Sequence, residues 1–247
     1  MRIVPVIDLL NGFVVHAYRG ERSTYKPIKS KLLKSKDPVD FVKLFKDFGF
    51  LEIYIADLNS IMGKGNNYKI IREITKGFEV KVFLDSGVDK LKKAKEALNL
   101  GIDRIVIGSE TLKSLLDFEE ILNYTEKVIF SLDIFENRVL SHSELKGLSI
   151  REALKLLNPL NFQDIMILYL SKVGTKSGLD LKEIKEIRNL TKKRIFIGGG
   201  IKSFEELLEL KNIGIERALI ATLLHEGKIL KEDLSKLYER RDLYPFS

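Results

Sequence analysis

Two stretches of this 247-residue chain are copies of one another. Phe83-Leu84-Asp85-Ser86-Gly87-Val88 aligns with Phe196-Ile197-Gly198-Gly199-Gly200-Ile201. Without a gap, the same register sets Asn99-Leu100-Gly101-Ile102-Asp103-Arg104 against Asn212-Ile213-Gly214-Ile215-Glu216-Arg217, and Ile107-Gly108-Ser109 against Ile220-Ala221-Thr222. Gly87 and Gly200 stand 113 positions apart, as do Arg104 and Arg217. Each copy reads strand, glycine-bearing turn, helix, strand, small-residue turn. Such turns present bare backbone N–H groups, and these attract anions. Building the device twice, in equivalent halves, predicts a ligand with two anionic ends.

Around the repeat, short apolar runs alternate with helical patterns. The strand candidates are Ile3–Leu9, Leu51–Asp57, Val80–Leu84, Arg104–Ile107, Val128–Asp133, Asp164–Leu168, Arg194–Ile197 and Arg217–Ile220. Between them lie amphipathic stretches such as Val39–Phe48, Lys90–Leu100, Ile150–Leu157, Leu181–Arg188 and Phe204–Leu210, apolar at three- and four-residue spacing. Asp37-Pro38 and Ser203 read as helix starts, Gly101 and Gly214 as stops. Continuous apolar strands separated by helices imply a parallel sheet covered on both faces. Eight such units with a repeat after four predict one closed (βα)8 barrel of two half-barrels, a single domain over residues 1–247. The competing layout is an open doubly wound sheet. The half-repeat favours closure, because each half then pairs its edges with the other.

Composition narrows the setting. A hydrophobic share of 45% suits one large α/β domain, and no Pro/Gly/Ser-rich linker divides it. No apolar run approaches the roughly 20 residues that span a bilayer. The acid at Asp8 comes too early for a signal peptide, so a cytoplasmic protein is expected. With no cysteine there is no disulfide frame and no thiolate metal site. His16, His142 and His225 share no ligand spacing, so no metal and no cofactor are expected; His225 is expected to start the last loop. Abundant Lys, Glu and Ile with a single Gln, Gln163, fit a thermophile. The net charge of +7 reads either as a solvated lysine-rich surface or as a field that draws in phosphorylated substrates. The lysines are spread over every helix instead of being gathered with aromatics, which argues against a nucleic-acid partner. The expected partner is a phosphorylated small molecule, with no membrane, and the chain a monomer or small homo-oligomer.

In a barrel of this type the chemistry sits at the C-terminal ends of the strands. Asp8 closes the first strand and Asp133 the fifth, so they should face each other across the mouth. One ionised and one protonated carboxyl work as base and acid, each proton transfer worth about 10²–10⁴-fold in rate. Either residue alone also reads as a helix cap. The turns holding Ser86, Gly87, Gly108 and Ser109 would form a first anion site, which the charge on Asp85 should weaken. Those holding Gly199, Gly200, Ala221 and Thr222 would form a second. The segment from Arg19 to Lys36 is long for a connection and reads either as a basic lid, with Arg19 or Arg22 gripping the ligand, or as a solvated loop. Glu136-Asn137-Arg138-Val139 reads as a substrate loop or a hairpin.

Taken together, Val6-Ile7-Asp8-Leu9 with Gly12 and Val14-Val15, Ala56-Asp57-Leu58, Ser131-Leu132-Asp133, Gly174-Thr175 and Gly198-Gly199-Gly200-Ile201 resemble the ProFAR isomerases of histidine biosynthesis. The related cyclase subunit of imidazole glycerol phosphate synthase shares the pattern, and Gly174-Thr175-Lys176-Ser177-Gly178 is closer to it. The resemblance covers nearly the whole chain. It implies a (βα)8 barrel, a bisphosphorylated aminosugar substrate, no cofactor, and an Amadori rearrangement run by the aspartates matching Asp8 and Asp133, with Gly174 and Thr175 at the substrate. Tyr18-Arg19-Gly20-Glu21-Arg22 followed by Tyr25-Lys26-Pro27 is similar to isomerase-like proteins of archaea and methylotrophs. Four positions depart from the family pattern: Val173 where it carries an acid, Leu168 where the isomerases have threonine, Asp85-Ser86-Gly87 where it has more glycines, and Ala221 where it has glycine. The reading is a diverged aldose–ketose isomerase; a cyclase or lyase, or a non-catalytic binder of phosphorylated ligands, stays open as the alternative.

Overall fold

The computed structural model describes residues 1–238; residues 239–247 of the expected domain lie outside the described residues. Eight parallel strands close a barrel: β1 (Arg2–Leu10), β2 (Glu52–Asp57), β3 (Lys81–Asp85), β4 (Arg104–Gly108), β5 (Val128–Phe135), β6 (Asp164–Tyr169), β7 (Arg194–Gly198) and β8 (Arg217–Ile220). Each pairs with the next in parallel register, and closure comes from β8 against β1, where Val4 lies opposite Leu219. The open-sheet alternative is excluded by that last pairing. Every expected strand falls on one of these, with ends within two residues.

Helices α1 (Pro38–Phe48), α2 (Tyr68–Gly77), α3 (Leu91–Leu98), α4 (Leu115–Tyr124), α5 (Ile150–Leu157), α6 (Leu181–Leu190), α7 (Phe204–Ile213) and α8 (Lys231–Leu237) form the outer ring. Asp37 caps α1 through the Val39 amide, with Pro38 in the first turn where its missing N–H costs nothing. Ser203 caps α7, which stops at Gly214. Alternate strand residues face two ways. Outward-facing Ile7, Ile55, Leu84, Ile107, Leu132 and Ile197 pack against the helices. Inward-facing Val4, Tyr54, Phe83, Val106, Ile129, Met166, Phe196 and Leu219 fill the barrel. The interior is thus a packed core, and room for a ligand exists only above it.

Below that core the half-repeat appears as charge. Arg217 on β8 grips Glu52 with two hydrogen bonds of 2.6 and 2.9 Å, and Arg104 on β4 lies 3.4 Å from Asp164. Burial pulls the Glu52 pKa up, but the Arg217 and Arg2 guanidinium groups outweigh it and hold the carboxyl below its usual value. Two strands run on past the barrel. β1 turns at Asn11-Gly12 into a hairpin with Phe13–His16, and β5 turns at Glu136-Asn137 into a hairpin with Arg138–Val139. All four turn residues have positive φ, as a two-residue turn of matching twist requires.

Candidate active site

The C-terminal ends of the strands enclose a cavity of about 330 Å³. Its floor is the last inward layer of the barrel, including Val6, Tyr54, Leu168 and Leu219; its wall is made by the turns after the strands. Three aspartates rise from alternate strands into it: Asp8 from β1, Asp85 from β3 and Asp133 from β5.

The β1 hairpin fixes Asp8. Asp8 pairs with Ala56 on one side and Val15 on the other. The hairpin turn is tied down by amide side chains: Asn11 N–H donates to Asn59 Oδ1 at 2.7 Å and Gly12 N–H to Asn67 Oδ1 at 3.0 Å. Asp57 in turn accepts from Asn67 through both oxygens, at 2.7 and 2.8 Å. Asp8 itself is half-buried, and no hydrogen bond reaches its carboxyl among the described residues; it is met by charge alone. Burial raises its pKa to about 7, against the pull of Arg22 and with a push from Asp85.

Asp133 is held differently. Its Oδ1 accepts from Ser131 Oγ at 2.7 Å, and its Oδ2 from the Glu110 amide at 3.0 Å. Its own amide donates to Ser109 Oγ at 2.9 Å. Burial also raises this carboxyl to about 7, the two donors pulling down and the charges of Asp85 and Glu110 pushing up. The third carboxyl, Asp85, accepts from the Gly87 amide at 3.0 Å and from Tyr54 Oη at 3.2 Å, and burial lifts it to about 6. Asp85 and Asp133 converge on Gly108: a Cβ there would lie 3.0 Å from Asp133 Oδ2 and 3.9 Å from Asp85 Oδ2.

The opposite wall carries no acid of this kind. Gly199 and Gly200 turn with φ of +94° and +84°, and a side chain at Gly199 would collide with the Tyr169 carbonyl. Their amides find no protein acceptor among the described residues. Thr222, at 3.5 Å from His16 Nε2, and Lys176, paired with Glu226 at 2.6 Å, complete this side. Burial lowers the His16 pKa, which keeps the ring neutral.

Of the residues expected from sequence, the cavity brings together Asp8, Asp133, Arg19, Gly108, Gly174, Gly199, Gly200, Ala221 and Thr222. Ser86, Gly87, Ser109 and Thr175 do not line it. Ser86 is buried, its carbonyl accepting from Ser60 Oγ at 2.8 Å, and Gly87 packs against Ile61. Ser109 faces the β5 hairpin and donates to the Leu140 carbonyl at 2.9 Å. Thr175 closes its own turn through the Lys172 carbonyl at 2.7 Å. The departures Val173 and Leu168 both line the cavity, Leu168 in the floor and Val173 in the wall. Among the described residues no group of His, Asp and Glu gathers as a metal site, and no helix is long and apolar enough to cross a membrane.

The Arg19–Lys36 segment is built as a strap. It holds a 3-10 turn at Arg22–Thr24 and a strand at Lys26–Pro27 that adds to the first hairpin. Arg22 bonds Glu110 through both guanidinium nitrogens, at 2.8 and 2.6 Å, across the mouth. Arg22 is therefore committed, while exposed Arg19 lies over the Tyr18 ring and has no carboxylate partner among the described residues. His225 ends a short helix, Thr222–His225, rather than starting a loop, and packs edge-on against Phe41. Glu136–Val139 is a hairpin. The sequence alone did not single out Tyr54 and Glu110. Tyr54 carried a signal, a polar ring at an inward position of β2; Glu110 stood inside a turn read only for its amides.

Comparison with known proteins agrees with this layout. A family profile described as "Histidine biosynthesis protein" matches residues 2–230. An uncharacterised protein of Methanocaldococcus jannaschii is 37% identical over 238 residues, covering 95% of this chain and 97% of its own. The 1-(5-phosphoribosyl)-5-((5-phosphoribosylamino)methylideneamino) imidazole-4-carboxamide isomerase of Aquifex aeolicus is 30% identical over 236 residues, 94% and 96% of the two chains. Its namesake in Methanosphaera stadtmanae is 28% identical over 240 residues, 96% and 99%.

Proposed function

This chain belongs to the family of histidine biosynthesis proteins, and from that premise we propose that it is an aldose–ketose isomerase acting on a phosphoribosyl-type aminosugar. The observation that supports this most is the pairing of Asp8 and Asp133. They enter one cavity from β1 and β5, and burial moves both carboxyls to about 7, where each can give up or take on a proton near neutral pH. In this reading Asp133 protonates the ring oxygen as the C1–O bond breaks and the nitrogen lone pair forms the imine. Asp8, its oxygens free of hydrogen bonds, takes the proton from C2. The resulting enaminol collapses to the ketone as a proton returns to C1, so no proton is gained or lost overall. A phosphate would lie against Gly199, Gly200, Ala221 and Thr222, with Gly174 beside it and Arg19 above.

The test is turnover of N-aryl ribosylamine 5-phosphates and of the imidazole-carboxamide substrate named for the relatives. Isomerisation to the ketose is expected for at least one. Asp8→Asn and Asp133→Asn should each cost about 10³-fold or more with the melting temperature kept, because the amide preserves shape and loses proton transfer. The rate should rise and fall around apparent values near 7: below them the base is protonated, above them the acid is lost. Phosphate binding without turnover of any of these compounds would leave a non-catalytic binder.

A further inference from the structure

The two ends of the cavity occupy equivalent places in the half-repeat and differ in what they offer a ligand. We propose that the end formed by β3 and β4 receives a cationic, amine-bearing arm of the substrate, so that the substrate carries one phosphate, at the β7–β8 end, and not two. This rests on the isomerase reading only in placing the reacting carbon between Asp8 and Asp133.

The first argument is donor supply. A phosphate needs free N–H groups, and four of those at the β3–β4 end already have acceptors. The Gly87 amide donates to Asp85 Oδ1 at 3.0 Å and the Glu110 amide to Asp133 Oδ2 at 3.0 Å. The Ser109 amide donates to the Ser131 carbonyl at 2.8 Å and the Thr111 amide to the Gly108 carbonyl at 3.1 Å. Asp85, in effect, supplies from within the chain the carboxylate that this turn would otherwise bind from outside. The half-repeat makes the contrast sharp, because the position equivalent to Asp85 is Gly198, which has no side chain to do this.

The second argument is what replaces the donors. Asp85 and Glu110 both line the cavity here. The guanidinium of Arg22 bonds Glu110, whereas Asp85 has no direct ion pair among the described residues and feels Arg22 only at a distance. Phe135, 41% exposed, stands on the same wall, and Tyr54 Oη already points at Asp85. Carboxylate and aromatic surface together suit an ammonium group, whereas a phosphate would face like charge.

Three stable probes separate the possibilities. Each is made by reductive amination of ribose 5-phosphate, with (4-aminobenzyl)trimethylammonium, with 4-methylaniline or with 4-aminobenzylphosphonate. They share one phosphate end and differ only in the charge of the other. In calorimetric titration of the unmodified protein, the cationic probe should bind about tenfold or more tighter than the neutral one, and the phosphonate weaker than either. Asp85→Gly should level or invert the order; Asp85→Asn keeps the side-chain shape and should remove the cation preference alone. Equal affinities, or tightest binding of the phosphonate, in the unmodified protein would overturn the proposal whether or not the variants fold. A bisphosphate substrate that is bound and isomerised would sink this inference and leave the isomerase standing. The cation preference without any isomerisation would do the reverse.

Discussion

The turn after β3 and the turn after β7 descend from the same pattern and have been put to different uses. Around Gly200 the chain leaves amides facing the cavity; around Gly87 it turns its amide onto Asp85 Oδ1 and packs the turn against Ile61. Two turns in equivalent places of the half-repeat can therefore favour opposite charges, because the carboxylate at the end of β3 makes its turn the support for an acid, while Gly198 leaves the turn after β7 as a donor surface. At an effective dielectric near 20, two unit charges 6 Å apart repel by about 3 kcal/mol. That is enough to turn a phosphate away from Asp85 unless a cation intervenes. The acid pair of Asp8 and Asp133, by contrast, retains its equivalence: each stands before a two-residue hairpin turn on strands β1 and β5.

The largest expected effect is on stability, and it separates the two turns directly. Gly199 has φ of +94°, and a methyl group there meets the Tyr169 backbone. Gly87 has φ of +66°, near the left-handed basin, and its methyl would lie 2.9 Å from the Ile61 Cα. Gly199→Ala should lower the unfolding free energy by about 3 kcal/mol or more and Gly87→Ala by about 2, measured by denaturant titration. The reverse order would mean that the β7 turn is the more plastic one, and the contrast drawn above would fail.

A second, smaller effect tests whether the halves also differ below the core. Glu52 is 2% exposed and is gripped by Arg217 and Arg2; Asp164 is 1% exposed and is shared between Arg194, at 2.6 Å, and Arg104, at 3.4 Å. Arg217→Met should cost about 2–3 kcal/mol, because a buried carboxylate loses its two-point partner. Arg104→Met should cost under about 1, because Arg194 keeps its contact with Asp164. Since the folded Glu52 pKa lies below its unfolded value of 4.5, its contribution is present above pH 4.5 and fades as the pH falls through the folded value. The gap between the two variants should therefore narrow in acid; a constant gap would show that packing, not charge, sets it.

The barrel was legible because its signals are local and repeated. Apolar strand, helix and turn recur eight times, and the offset between Gly87 and Gly200 requires halves that close on each other. Asp8 and Asp133 were legible for the same reason, since a strand end in such a barrel is a place as well as a residue. What sequence could not give was direction. Ser86 and Ser109 sit in the right turns, yet one is buried under Ser60 and the other faces the Leu140 carbonyl. The Arg22–Glu110 bridge joins residues 88 positions apart, and no periodicity announces it. Asp85 was visible as a charge in the wrong place; that it closes its own turn required its contact with the Gly87 amide.

The smallest effect bears on which end holds the anion. Arg19 is exposed and lines the cavity, its φ is +50°, and its amide bonds the Val173 carbonyl at 3.0 Å, which places its backbone beside the turn that follows β6. Lys176 lines the same side, but Glu226 holds it at 2.6 Å. A phosphate arriving there gains the Arg19 charge without breaking a pair, and gains Lys176 only by competing with Glu226. Solvent screens both. Arg19→Met should weaken inorganic phosphate binding about fivefold and Lys176→Met about twofold, read by titration at low salt, with both differences shrinking as salt is raised. Arg22→Met provides the contrast, because it frees Glu110 at the opposite end and should leave phosphate affinity within about twofold. If Arg22→Met proves the most damaging of the three, the anion sits at the β3–β4 end, and the opposition between the two turns is the wrong way round.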